Sequence, residues 1–394
     1  MSLLLTLLFT IVSYNCENLF DCRHDSLAPA STCRHDSLAP APTCRHDSLA
    51  SAPTCCHDSL ENNEVTDLTS IITPTITHTI MHKNDYDFLP TSTHHWTFSR
   101  YWQKLNNIAR VIQQCGSANA AQNGTTNAAQ NSTTNAAQSG SANAAQNDAT
   151  LPDIAALLEV ENDSTLIMLT RRSLLKGAGY RYVMTDSPDA RGIDVAVIYN
   201  PLTFRLESSY SIRPQIENIQ TRDILYIKGI ARARERLHIF VVHAPSRRNG
   251  KSATEGYRLQ VKDRMMQSVD SIRRIEPDAK IILMGDFNDY SNDKALKDLA
   301  GRGFMEVSKG IKGLNYKKTK VFGTYKYQGV WNSLDHIFLS DAVSQHVTNC
   351  FIYDAAWLLE EDAQGGYKPF RTYLGPKYHE GVSDHLPIVL QLRL

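Results

Sequence analysis

The sequence predicts an α/β protein, and three features predict it. Six short apolar runs of strand length each end in a polar cluster, and segments of helical period lie between them. The apolar fraction, 42% of 394 residues, is enough for a sizeable core. The pattern centres on Ile281-Ile282-Leu283-Met284-Gly285-Asp286-Phe287-Asn288-Asp289. Its first four residues read as a buried strand, and Gly285 is expected to end that strand with a sharp turn. Alone, such a stretch needs no chemistry, since Asp and Asn are ordinary turn formers.

Charge and cysteine usage narrow the class. Forty-one basic and forty-one acidic residues cancel, so any polyanion contact has to be local to a site. Of eight cysteines, Cys16, Cys22, Cys33, Cys44, Cys55 and Cys56 crowd the N-terminal part, whereas Cys115 and Cys350 stand far apart; this is no disulfide framework. Met1 to Val12 is apolar, with no basic residue before it and no small-residue cleavage site after it. It fits neither a signal peptide nor a membrane span, which favours a cytoplasmic location.

Along the chain, a first strand is expected from Phe9 to Tyr14, delivering Asn15-Cys16-Glu17-Asn18-Leu19-Phe20-Asp21. The unit Cys-Arg-His-Asp-Ser-Leu then starts at Cys22, Cys33 and Cys44 and, with Cys56 in place of Arg, at Cys55. Cys-x-His units contain zinc-ligand types, yet only Ala, Pro, Ser and Thr lie between them. A disordered surface insert over 22–60 is the better reading. A helix is expected over Thr97 to Gln114, with Tyr101, Leu105, Ile108 and Ile112 on one stripe. Asn-Ala-Ala-Gln then starts at Asn119, Asn127, Asn135 and Asn143, marking a second disordered insert over 116–150.

Ordered structure is expected to reopen with a strand from Ile154 to Leu158, which carries Glu159 at its end. A carboxylate continuing an apolar run is costly unless a cation lies nearby. A helix over Ser164 to Lys176 and a strand over Arg191 to Tyr199 follow. Paired strands over Asp223 to Ala231 and Arg236 to Val242 come next, the second delivering His243. The amphipathic helix Glu255 to Arg274 leads back to Ile281. A short helix over Asn292 to Ala300, a strand opening at Asp335, and Ser383-Asp384-His385 before a last strand complete the pattern.

Strand ends from distant sequence can converge on one edge of a layered sheet structure. Asn15, Glu159, His243, Asp286 with Asn288, Asp335, and Asp384 with His385 then form one site of carboxylates, amides and two histidines. Oxygen ligands of this kind suit Mg²⁺ or Mn²⁺. Neither a Walker-type phosphate loop nor a Gly-x-Ser-x-Gly nucleophile elbow occurs.

Tyr14-Asn15, Leu158-Glu159, His243, Gly285-Asp286-Phe287-Asn288, Leu334-Asp335-His336 and Ser383-Asp384-His385, in that order, resemble the endonuclease/exonuclease/phosphatase superfamily. Tyr14 to Asp21 together with Arg191-Gly192-Ile193-Asp194-Val195-Ala196 is similar to its bacterial branch. The resemblance implies a four-layer α/β/β/α sandwich in a single domain spanning 1–394, with two mixed β-sheets face to face and helices outside. It also implies divalent-metal-dependent hydrolysis of a phosphodiester, as in an endonuclease-like nuclease; a phosphatase or phosphodiesterase of small-molecule or lipid esters is the alternative, and a catalytically inactive binding module is the alternative of another class. The implied metal ligands are Glu159, Asn15 and Asp384. Asp286 would orient or deprotonate water and Asn288 would hold phosphate or nucleophile. His243 and His385 would donate to oxygens, Asp335 would pair with His385, and Arg191 would contact phosphate. The expected partner is a phosphate-ester substrate, DNA or RNA among the candidates, and a monomer with no membrane span is expected. Arg247, Arg248 and Lys251, or Lys317, Lys318 and Lys320, are the candidate basic patches.

Overall fold

The computed structural model describes residues 8–23, 86–118, 150–217, 219–248 and 250–394. Both repeats therefore lie outside the described residues, apart from Cys22, Arg23, the stretch 116–118 and Thr150.

Two six-stranded mixed sheets carry the fold. The first contains β1 (Phe9–Leu19), β2 (Ile154–Val160), β3 (Arg181–Met184), β4 (Asp194–Tyr199), β13 (Val347–Ile352) and β18 (Ile388–Leu392), in the order β13-β18-β1-β2-β4-β3. The second contains β5 (Phe204–Ile212), β6 (Ile224–Ala231), β7 (Glu235–His243), β8 (Ile281–Asp286), β9 (Phe304–Glu306) and β12 (Asp335–Ser340), in the order β5-β6-β7-β8-β12-β9. Short ribbons pair β10 (Tyr325–Tyr327) with β11 (Val330–Asn332), β14 (Leu359–Glu361) with β15 (Tyr367–Pro369), and β16 (Tyr373–Leu374) with β17 (Lys377–Tyr378).

Strand alternation explains the layering. On the first sheet Phe9, Ile11, Ile154, Ala156 and Leu158 point inward, against Leu225, Ile227, Ile239, Val241, Ile282 and Met284 of the second. The intervening positions Val12, Tyr14, Ala155 and Leu157 face outward, against Leu105, Ile108 and Ile112 of α1 (Phe98–Ser117) and Leu166 and Leu169 of α2 (Asp163–Arg171). Phe240, Val242, Ile281 and Leu283 pack in the same way against Val261, Met265, Met266 and Val269 of α3 (Lys251–Ile275) and Leu296 and Leu299 of α4 (Lys294–Gly301). The architecture is the expected α/β/β/α sandwich.

One parallel pair sits at the centre of each sheet: β1 beside β2, and β7 beside β8. Their flanking neighbours β18, β4, β6 and β12 run antiparallel. The C-terminal ends of β1, β2, β7 and β8 and the N-terminal ends of β12 and β18 therefore share one edge. The six polar clusters lie there.

Several boundaries differ from the sequence expectation. Strand β1 continues past Tyr14 to Leu19, because a register shift between Asn15 and Leu19 lets the chain rejoin β2 after Glu17 and Asn18 turn left-handed. Helix α1 runs on to Ser117, into the segment assigned to the second insert, since Cys115 and Gly116 are buried against the core. Helix α2 stops at Arg171; the Ser173 hydroxyl bonds to the Leu169 carbonyl, and the chain then turns at Gly177, with φ of 86°. Arg191 precedes β4 instead of beginning it.

Gly285 does not end its strand. It lies inside β8, opposite His336 of β12 and Val242 of β7, with φ of 132°. A Cβ there would stand 2.0 Å from the Val242 carbonyl oxygen. Glycine is required for close approach of backbones and a disfavoured φ. Gly285→Ala is expected to cost on the order of 3 kcal/mol of unfolding free energy in urea titrations.

Candidate functional site

Asn15 and Glu159 stand at the ends of the central parallel pair of one sheet, and His243 and Asp286 at the ends of the other. Alternation along β2 sends Leu158 inward and Val160 outward, and Glu159 is the extra residue between them, at a register shift against β4. Its φ is 62°. This bulge carries its carboxylate towards the opposite sheet, where Oε1 lies 3.7 Å from His243 Nε2. His243 Nε2 is in turn 3.8 Å from Asp286 Oδ2.

Asp286 is the hub. Its Oδ2 accepts from Asn15 Nδ2 at 3.1 Å and its Oδ1 from the Asn288 backbone N–H at 2.9 Å. Asn288, at φ of 50°, donates its side-chain amide to the Ala244 carbonyl at 3.0 Å. Asp335 pairs with Asp286 across β12 and β8. Its Oδ2 lies 2.7 Å from His385 Nδ1 and accepts the Thr324 hydroxyl at 2.6 Å. Ligand atoms of Asp286, Asp335 and His385 all fall within 4.8 Å of one another, and the three residues are buried.

Burial shapes the charges. It pushes the Asp286 carboxyl up, reinforced by Asp335, to about 7. It drives His243 well below the ordinary histidine value, helped by the charges of Arg222 and Arg191. For His385 burial acts against charge, but Asp335, its hydrogen bond, Asp286 and Asp384 outweigh it and hold the imidazole well above the usual range. The two histidines are thus pushed in opposite directions, His243 towards the neutral form and His385 towards the cation.

Two predicted residues sit on the rim. Arg191 is half-exposed and donates Nη2 to Asn18 Oδ1 at 2.6 Å and to Glu159 Oε2 at 3.4 Å. Asp384 is partly exposed and accepts Arg371 Nη2 at 3.1 Å. His336, quoted in the Leu-Asp-His motif, is turned away from these groups and bridges Glu306 and the Asp289 carbonyl.

Sequence reasoning missed four supporting residues. Arg222 is buried, holds the carbonyls of His243 and Ala244, and pairs with Asp189 at 2.9 Å. Lys104 of α1 is buried too, and its Nζ donates to the Glu17 carbonyl at 2.6 Å, Thr372 Oγ1 at 2.6 Å and the Val382 carbonyl at 3.1 Å. Glu17 and Arg371 form an ion pair beside Asp384. Lys104 left a trace in the sequence: a lysine three residues after Tyr101 and four before Ile108, inside an apolar stripe. Glu17 stands in the polar cluster that follows the first strand, without a role of its own there, and nothing local marks Arg222 or Arg371.

The basic patch assigned to the loop after His243 is largely neutralised. Arg247 bonds to Asp293 at 3.2 Å while lying over the Tyr290 ring, and Lys251 bonds to Asp293 as well. Lys317, Lys318 and Lys320 are exposed and form no ion pair among the described residues. Cys16, Cys22, Cys115 and Cys350 are free thiols. Among the described residues, no helix is long and apolar enough to cross a membrane.

A family model described as endonuclease/exonuclease/phosphatase family matches residues 118–394. No curated protein matches the chain. Among solved structures, the human Nocturnin catalytic domain with bound sulfate is 20% identical, over 61% of this chain and 80% of that one, with a TM-score of 0.41. A mannosyl-6-phosphatase from Bacteroides thetaiotaomicron is 17% identical, over 61% and 85%, with a TM-score of 0.42. TDP2 from C. elegans is 14% identical, over 75% and 71%, with a TM-score of 0.43.

The Asp335–His385 pair has a measurable signature in metal-free protein. Because the folded pKa of His385 lies above the unfolded value of about 6.5, the pair's stabilisation is complete below that pH and is lost as pH rises through the folded value. Asp335→Asn is expected to move the His385 ring titration, followed by NMR, to lower pH. An unmoved titration would show that Asp335 does not hold the proton.

Proposed function

Since the chain belongs to the endonuclease/exonuclease/phosphatase family, we propose that it is a divalent-metal-dependent phosphoesterase that hydrolyses a phosphodiester, acting as a nuclease. Members of this family are metal-dependent phosphoester hydrolases. The observation that carries the reading is the meeting, at one edge, of the buried carboxylates of Glu159, Asp286 and Asp335 with His243 and His385.

The donor set fits a hard cation. Glu159, Asp286 and Asp335 place three carboxylates in one buried region, and Asp335 Oδ1 has no hydrogen-bond partner among the described residues. Asp335 Oδ2 is taken by His385 and Thr324, so Asp335 acts as the partner of His385. Glu159 and Asn15 would hold Mg²⁺ or Mn²⁺, with Asp384 completing the oxygen donors. When bound, such an ion neutralises charge on the phosphoryl oxygens.

The chain's own groups do the rest. Asp286, raised towards neutrality, orients the attacking water and accepts its proton. Asn288 steadies the nucleophile or phosphate from beside Asp286. Cationic His385, held by Asp335, gives its proton to the leaving oxygen, and neutral His243 donates a hydrogen bond to a non-bridging oxygen. Arg191 supplies a cation on the rim, in reach of a phosphate.

Nucleic acid is supported by Lys317, Lys318 and Lys320, which are exposed, form no ion pair among the described residues and offer charge to a polyanion. A small-molecule phosphate ester is the second reading, supported by Asp293, which removes Arg247 and Lys251 as free cations beside His243. We further propose that 1–394 is one domain and that both repeat inserts are dispensable.

Purified protein is expected to hydrolyse bis-p-nitrophenyl phosphate with Mg²⁺ or Mn²⁺ and to stop with EDTA. Glu159→Ala and His385→Ala should each lower kcat by at least about 100-fold. Turnover untouched by all three treatments would sink the mechanism. A parallel assay on plasmid DNA, RNA, inositol phosphates and sphingomyelin separates the two readings. In that assay, reversing the charge of lysines 317, 318 and 320 should weaken cleavage of nucleic acid and leave bis-p-nitrophenyl phosphate unaffected.

A further inference from the structure

Arg371 lies just before β16, in the stretch that leads to Ser383-Asp384-His385. Its guanidinium is held from behind. Nε donates to Glu17 Oε1 at 3.2 Å, and Glu17 is fixed by the Thr372 backbone N–H on its other oxygen at 2.7 Å and by Lys104 on its carbonyl. The Glu17 side chain is 7% exposed and that of Arg371 is 39% exposed. A buried carboxylate thus anchors a cation whose far end reaches the open rim.

At that end Nη2 meets Asp384 Oδ2, while Nη1 has no hydrogen-bond partner among the described residues. A guanidinium presents five N–H donors in a rigid plane, and the outer Nη1/Nη2 edge is the one that grips phosphate through two parallel hydrogen bonds. The edge also belongs to the site. Arg371 holds Asp384, the residue directly before His385, and the bond between them is 3.1 Å long. Arg191 occupies the corresponding place on the Glu159 side, bonded to Glu159 as Arg371 is to Asp384.

We propose that Arg371 is a phosphate-contacting residue, anchored by Glu17. The inference rests on the phosphoesterase reading and adds a specificity contact to it. A phosphate group with at least two free non-bridging oxygens is the ligand the outer edge takes, with Glu17 as a positioning residue.

The test uses the full chain and inorganic phosphate as probe, read as competitive inhibition of bis-p-nitrophenyl phosphate hydrolysis and as a phosphate-dependent rise in melting temperature. Arg371→Ala is expected to raise KM and the phosphate inhibition constant about tenfold to hundredfold, with a smaller change in kcat. Arg371→Lys, which keeps the charge and loses the fork, should fall between the two, and Glu17→Gln should shift both constants in the same direction. If phosphate inhibits and stabilises Arg371→Ala as well as wild type while kcat or metal requirement changes, Arg371 acts only through Asp384 and the proposal is wrong. Absence of phosphate binding to wild type would also overturn it. Should wild type hydrolyse no ester yet lose its phosphate-dependent stabilisation in Arg371→Ala, the phosphoesterase reading fails while the anion contact stands.

Discussion

The site depends on two parallel strand pairs, β1–β2 and β7–β8, running out at the same edge of two facing sheets. Parallel pairing puts successive C-terminal ends side by side, and crossover segments that include α1 and α3 separate the paired strands in sequence. Asn15 and Glu159 are consequently neighbours in one sheet, and His243 and Asp286 in the other. Asp335 and His385 join from antiparallel neighbours whose N-terminal ends lie at that edge. The packed interior between the sheets holds the two edges at a distance that side chains can bridge.

Pairing alone would leave Glu159 aimed at the helices. Left-handed backbone at Glu17, Asn18, Glu159 and Asn288 turns the chain at the strand ends. Non-glycine residues there cost on the order of 1 kcal/mol each. Such strain persists where the surroundings hold it, and here they do: Glu159 accepts the Asn18 backbone N–H at 2.9 Å, and Asp286 accepts that of Asn288. Ser383 donates to the Asn15 carbonyl at 2.6 Å, tying β1 to the approach of β18. Strain is concentrated where side chains must face a common point, a usual feature of sites that bind or react.

The electrostatics follow from the same enclosure. Buried carboxylates are tolerated because each has partners, and those partners decide its role. Asp335 is bound to His385 and Thr324. Asp286 is shared by Asn15, the Asn288 backbone and the field of His385. Glu159 accepts from the Asn18 backbone and from a half-exposed arginine.

Much of this was legible in the sequence, because the relevant information was local. An apolar run of four to six residues followed by Asn, Glu, His or Asp identifies a buried strand and its end whatever it packs against. The helical stripes of α1 and α3 could be read for the same reason, and so could the family resemblance, carried by six short motifs. What stayed hidden was non-local. Gly285 looked like a strand terminator because the requirement for it comes from the Val242 carbonyl of another strand. Arg247 and Lys251 looked like a free basic patch because Asp293, their partner, lies 46 and 42 residues away. Arg222 and Arg371 carry no local mark at all, since their partners are fixed only when the sheets close. The sequence by itself determined which strands end in chemistry. Tertiary structure decided which of those ends face one another, because only packing sets the distance between groups that the chain keeps far apart.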